Sequence, residues 1–178
     1  MRNRSAGLGA FVVSAIVALW LAGVILPAAR AAEPLARPTG PVVLTVTGAI
    51  ARTNGPGGAD FDQAMLEALG VDHITTTTNW TDGKAVFDGV PVSKVLQAVG
   101  ATGTSVVATA LDEYSIEIPI AQFTRYNVLL AMRMNGRALP PNDKGPLWIV
   151  YPRDDHPELH DPSNNANWVW QLRTINVR

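Results

Sequence analysis

The sequence predicts an α+β domain: a mixed, mainly β core carrying two short helices. Three observations predict it. Runs of β-branched residues, Val42–Gly48 and Ile74–Thr78, suit a pleated strand because a branched Cβ loses rotamers in a helix. Only two stretches, Asp60–Gly70 and Val92–Gly100, repeat apolar residues at helical spacing and close in glycine. Turn formers punctuate the rest, including the hairpin pair Asn135-Gly136.

The start of the chain is not part of that domain. Basic Met1-Arg2-Asn3-Arg4 precedes an apolar run from Leu8 to Leu26, then Pro27 and the small-residue site Ala29-Arg30-Ala31. This is the order of a secretory signal peptide over residues 1–31. The run is long enough to suggest an uncleaved anchor, but the helix-breaking Pro27 and the small residues favour cleavage. The mature protein is then exported, and periplasmic in a Gram-negative cell. Residues 32–41, with two prolines between Glu33 and Gly40, read as a flexible leader, leaving residues 42–178 as one domain.

Taken in order, Val42–Gly48 is a strand, and Ala51–Ala59 is a glycine-rich loop with enough glycine to be mobile. That loop carries no Gly-Lys-Ser/Thr and no G-x-G-x-x-G, so it is not a phosphate loop. In Asp60–Gly70, Asp60 is the expected cap, and Phe61, Met65, Leu66 and Leu69 share a face. The threonine strand follows and ends in the turn Asn79-Trp80-Thr81-Asp82-Gly83. Phe87–Val92 reads as a turn leading into the second helix. Ser105–Ala110 and Tyr114–Pro119 read as strands, and Ile120–Arg125 as a turn or one helical turn. Asn127–Met134 and Leu147–Tyr151 are buried strands separated by a rigid proline loop. Residues 152–165 are dense in charge and turn formers. Trp168–Leu172 with Ile175–Val177 then ends the domain as a strand.

Composition removes several chemistries. The chain has no cysteine, which excludes disulfides, thiolate metal sites, thiol nucleophiles and iron–sulfur clusters. The formal net charge of −1 becomes −4 without Arg2, Arg4 and Arg30, so nucleic acid is not an expected partner. His156 and His160 lie four apart among Asp154, Asp155, Glu158 and Asp161, but a proline-rich acidic loop is a weak frame for a metal site. It also lacks the glycine and terminal glutamate of a calcium loop.

Five segments in order resemble the molybdopterin-binding domain of the sulfite oxidase fold. They are Phe87-Asp88-Gly89-Val90-Pro91-Val92, Asp112–Pro119, Leu129–Pro140, Lys144–Pro152 and Trp170–Ile175. The resemblance implies a mainly β fold with a ligand pocket at the end of the threonine strand. It also exposes a departure. The family's enzymes bind molybdenum through a cysteine that follows the strand after the first helix, and here Thr75–Asn79 holds that place. A threonine hydroxyl does not replace a thiolate on a high-valent metal. Arg153 is the only base in the acidic loop, and Trp168-Val169-Trp170 stands where a base is common, so phosphate donors are thin. The implied cofactor state is therefore no molybdenum cofactor.

The chain is more similar to short exported members that lack the cysteine, bind a free pterin and regulate a membrane signalling partner. A pterin needs aromatic faces, acceptors for its guanidine-like edge and a donor for its carbonyl. Trp80, Tyr151, Trp168 and Trp170 are candidate faces, with Tyr114 near the ligand. Asn79, Asp154 and Asp155 are candidate acceptors, and Arg153 a candidate donor. Each has a plainer reading. Trp80 and one of Trp168 and Trp170 serve equally as core, Tyr114 as a half-buried strand residue, and Arg153 with its two aspartates as a surface ion pair. Trp148, in mid-strand, is assigned to the core. The expected function is a periplasmic pterin-binding regulator. The rivals are a molybdopterin-dependent oxidoreductase subunit with an atypical, cysteine-free site and an interaction module with a vestigial pocket. Asn54–Gly58 and Arg153–Asp161 are the candidate partner surfaces.

Overall fold

In the computed structural model, which describes residues 35–178, the threonine run forms the edge strand of one of two five-stranded sheets. The signal peptide and the first leader residues lie outside the described residues. The first sheet contains β1 (Val42–Gly48), β2 (Ala59–Asp62), β5 (Ser105–Ala110), β6 (Ser115–Pro119) and β10 (Leu172–Val177), ordered β2-β1-β10-β5-β6. The second contains β3 (Asp72–Thr77), β4 (Lys84–Pro91), β7 (Leu129–Met134) and the short β8 (Arg137–Ala138) in that order, with β9 (Trp148–Val150) also on β7. Helices α1 (Gln63–Ala68), α2 (Val92–Ala98) and α3 (Ile120–Arg125) are each under two turns long. The fold is the mixed, mainly β class expected, with α3 as a third short helix.

Alternation sets the burial. Leu44 and Val46 of β1, Val106, Ala108 and Ala110 of β5, and Ile74 and Thr76 of β3 point inward. Those of β1 and β5 join one apolar core with Phe87, Val90, Val95, Leu130 and Trp148, drawn from both sheets. The β1–β10 pair is parallel, Thr45 opposite Thr174, and all other pairings are antiparallel. At the hairpin between β7 and β8, Asn135 and Gly136 both adopt positive φ, 51° and 75°, as a tight hairpin turn requires. The Asn135 backbone and side chain both pair with Val86, extending the β4–β7 ladder.

Four expectations change. Residues 59–62 form a strand on β1, so Asp62 rather than Asp60 caps the first helix. Asp60 instead accepts from the Thr45 hydroxyl. Residues 87–91 continue β4, although Asp88, Gly89 and Pro91 look like turn formers. Residues 168–171 are not strand: Gln171 takes φ 48°, which breaks the extended run before β10 begins. The glycine-rich loop is tied down, because Asn54 bonds both the Ala36 and Asp60 carbonyls and accepts from the Asp60 N–H.

Asp62 joins the leader to this frame. One carboxylate oxygen accepts from the Met65 N–H, and the other from the N–H groups of Gly40 and Thr39. These bonds, Met65 foremost, hold its carboxyl below the usual carboxylate range. A lowered folded value means the stabilisation is complete above the unfolded pKa and lost as pH falls through the folded one. Asp62→Asn keeps one acceptor and turns an amide N–H2 toward donors. The variant is expected to be less stable than wild type at neutral pH, and thermal melts from about pH 7 to about pH 3 should show the gap narrowing through the acid range.

Candidate functional site

The end of β3 builds one wall of a cavity. Thr78 leaves the strand, and its hydroxyl accepts from the Trp80 N–H at 3.0 Å and meets the Thr81 hydroxyl at 3.0 Å. This Ser/Thr-type turn presents the half-buried indole of Trp80. The ring sits edge-on to Trp170 with centroids 5.3 Å apart, and lies 5.9 Å from Trp168 and 6.2 Å from Trp148. Such edge and tilted contacts match the aromatic quadrupole preference. Trp148 is fully buried beneath, against Phe87 at 5.3 Å.

Trp168 and Trp170 come from the irregular segment after three 3₁₀ turns, Arg153–Asp155, Pro157–His160 and Pro162–Asn167. Asp161 caps the last turn by accepting from the Ser163 N–H. The Ile149 N–H then donates to the Val169 carbonyl, tying the segment to β9. Trp168 is nearly buried and Trp170 half-buried, yet both line the cavity. The sequence offered one as core and one as wall; Trp168 belongs to the apolar core while also lining the cavity, and Trp170 is the half-buried wall.

The third wall is the β5–β6 turn. Glu113 adopts φ 67°, and the Asp112 carboxylate accepts from the Tyr114 N–H. Tyr114 reaches across, its hydroxyl donating to the Ala166 carbonyl at 3.0 Å. The enclosed volume is about 330 Å³, within the usual range for small-molecule sites. Asp112 and Asn165 supply polar atoms on a mostly aromatic lining, and Asp112 is its one residue charged at neutral pH.

The structure thus brings together Trp80, Tyr114, Trp168 and Trp170 of the expected residues. It sends the others elsewhere. Tyr151 is buried in the core, packed 5.8 Å from Trp168, with its hydroxyl donating to Gln122 and its phenol pushed up by burial. Asp154 fastens its 3₁₀ turn to β3. It accepts from the Thr77 hydroxyl at 2.6 Å, its N–H donates to Thr76, and Lys84 lies 3.3 Å away. The Thr77 bond holds the Asp154 carboxyl below the usual range, with Lys84 assisting. Asp155 is exposed and lines a separate polar groove with His73, Arg125 and His156. Asn79 and Arg153 stand behind the cavity wall: Arg153 donates to Asn79, and Asn79 donates to Asn165 at 2.7 Å. The side-chain pattern missed Asp112 and Asn165. The signals were present in Asp112-Glu113 before Tyr114 and in the turn-forming Asn164-Asn165, but neither marks a cavity by itself.

The threonine run does not fit a thiolate-held molybdenum. Beyond the lack of cysteine, three of its four hydroxyls are committed: Thr76 to the Thr77 carbonyl and the Asp154 N–H, Thr77 to Asp154, and Thr78 to its own turn, while Thr75 is exposed. Among the described residues, no group of three or more His, Cys, Asp or Glu is arranged to hold a metal ion.

The family model described as oxidoreductase molybdopterin binding domain matches residues 62–154. Trp80, Asp112 and Tyr114 fall inside that stretch; Asn165, Trp168 and Trp170 lie beyond it. Among solved structures, the sulfane dehydrogenase SoxCD from Paracoccus pantotrophus superposes with a TM-score of 0.57 at 19% identity, over 75% of this chain. The likeness is one of fold, and this chain spans 37% of that one. No curated protein matches by sequence.

Proposed function

The chain belongs to the oxidoreductase molybdopterin binding domain family, and from that premise we propose that it is an exported protein binding a free, unphosphorylated pterin-like heterocycle between Trp80, Tyr114, Trp168 and Trp170. The observation that carries the reading is the cavity itself: about 330 Å³, walled by aromatic rings, with a carboxylate at Asp112 and an amide at Asn165. Flat rings gain from such faces, and the few polar groups set orientation. The charge points the same way. No basic side chain lines the cavity, so a dianionic phosphate meets Asp112 and no counter-charge.

The bound state is read by a membrane signalling partner that distinguishes liganded from free protein. The exposed Leu111 and Tyr114 beside the cavity, each 45% exposed, are the surface where ligand and partner meet. Family membership also favours a second reading, an oxidoreductase subunit with an atypical cofactor site.

The test is binding of pterin to the full-length protein, followed by indole fluorescence, with metal analysis of protein purified from its own envelope. Saturable binding without molybdenum is expected, and a phosphomethyl pterin should bind about tenfold more weakly than pterin itself. Stoichiometric molybdenum would overturn the binding-protein reading in favour of the oxidoreductase.

A further inference from the structure

Behind the cavity wall, three side chains form a chain of hydrogen bonds whose direction is fixed by chemistry. The Arg153 guanidinium has donors and no acceptor. The atom of Asn79 that it meets is therefore the carbonyl oxygen, whichever way the amide is first drawn. That leaves the Asn79 N–H2 to donate, and it donates to the Asn165 carbonyl oxygen at 2.7 Å. Asn165 must then turn its own N–H2 away from Asn79, and Asn165 is one of the residues that line the cavity. Among the described residues no acceptor takes a hydrogen bond from that N–H2, whereas its oxygen is occupied. Arg153 is half-buried and forms no ion pair among the described residues, so its charge is not drawn away from Asn79.

We infer that Arg153 and Asn79 are positioning residues that lock the Asn165 amide as a hydrogen-bond donor, so that Asn165 selects a ring carbonyl on the ligand. This deepens the pterin reading and rests on it. An asparagine free to flip accepts either a carbonyl or an amino group at that point; a locked one does not. Asp112 has the opposite polarity, since an ionised carboxylate only accepts. Together they specify a lactam-like heterocycle, with a carbonyl for Asn165 and N–H groups for Asp112. Neither Arg153 nor Asn79 needs to touch the ligand.

The experiment compares pterin with its diamino analogue, in which an amino group replaces the ring carbonyl, near neutral pH by calorimetry. Wild type is expected to prefer pterin about tenfold, the usual scale for a donor left facing a donor. Arg153→Met should release both amides to flip and reduce the preference to about twofold or less, while Arg153→Lys, also donor-only, should restore it. Asn165→Asp, acceptor-only, should invert it. Where Arg153→Met fails to fold, Asn79→Asp tests the same lock with the opposite sign: it accepts from Arg153 and has no N–H to give, so the Asn165 N–H2 turns to it, the Asn165 carbonyl faces the cavity, and the preference should invert. Retention of the wild-type preference in Asn165→Asp and Arg153→Met would overturn the lock. Equal affinity of wild type for both compounds would overturn the lock and leave the pterin cavity standing. Binding of neither would remove both.

Discussion

Trp80→Ala is expected to weaken pterin binding about thirtyfold. Trp80 is the ring shared by Trp148, Trp168 and Trp170, so its removal opens the cavity on one side and frees Trp170 from its edge contact. Truncating a central aromatic anchor costs about 2 kcal/mol or more of binding, roughly thirtyfold in Kd. The fold pays less attention to it, because Trp80 is half-buried and Trp148 fills the core beneath. A loss of about 2 kcal/mol in stability, or a fall in Tm of roughly 4–8 °C, leaves the variant folded at assay temperature. Trp80→Phe keeps an aromatic face and should bind within about fivefold of wild type. Wild-type affinity in a folded Trp80→Ala protein would remove the ligand from this cavity.

Gly89→Ala is expected to be strongly destabilising. Gly89 lies on β4, the strand flanked by β3 and β7, and is paired with Asp72 on one side and Ala131 on the other. A Cβ there would stand 2.1 Å from the Leu130 carbonyl oxygen and 2.6 Å from the Ala131 Cα. Those atoms are backbone in a paired strand and cannot swing away as a side chain can. The register shift between Asp88 and Gly89 brings the strands this close. A cost of more than about 4 kcal/mol is expected, enough to unfold a marginally stable domain. Soluble yield and chemical denaturation read it out. Gly57→Ala is the control: a Cβ there meets nothing within 4 Å, so its Tm should move by no more than about 2 °C.

Gly89 also explains a misreading. Asp88, Gly89 and Pro91 are turn formers by local chemistry, but the glycine serves a close approach and Pro91 ends the strand at the start of α2. The same conflict hid β2, whose Asp60 and Asp62 disfavour strands in general and are used here to bond Thr45 and cap α1. Where one local signal dominated, the elements were readable: β1 and β3 from branched residues, β5 and β6 from alternation, and α2 from its apolar face. Asp154 and Asp155 show the limit. Adjacent in sequence and equal in chemistry, they diverge because a 3₁₀ turn sends one onto β3 and the other to solvent.

From the sequence alone came the mixed, mainly β class, the want of any thiolate, and the supply of indoles that a flat ligand needs. These follow from residue type and short-range periodicity, which act within a few residues of each other. The tertiary structure decided the rest. Trp80, the Asp112–Tyr114 turn and the Asn165–Trp170 segment are far apart in the chain, and the order of strands in two sheets makes them neighbours. It also withdrew Tyr151 into the core, spent Asp154 on the threonine strand, and placed Arg153 and Asn79 behind the wall. Long-range packing selects which members of a chemically suitable set meet, because a side chain's partner depends on the strand beside it and not on the residue before it.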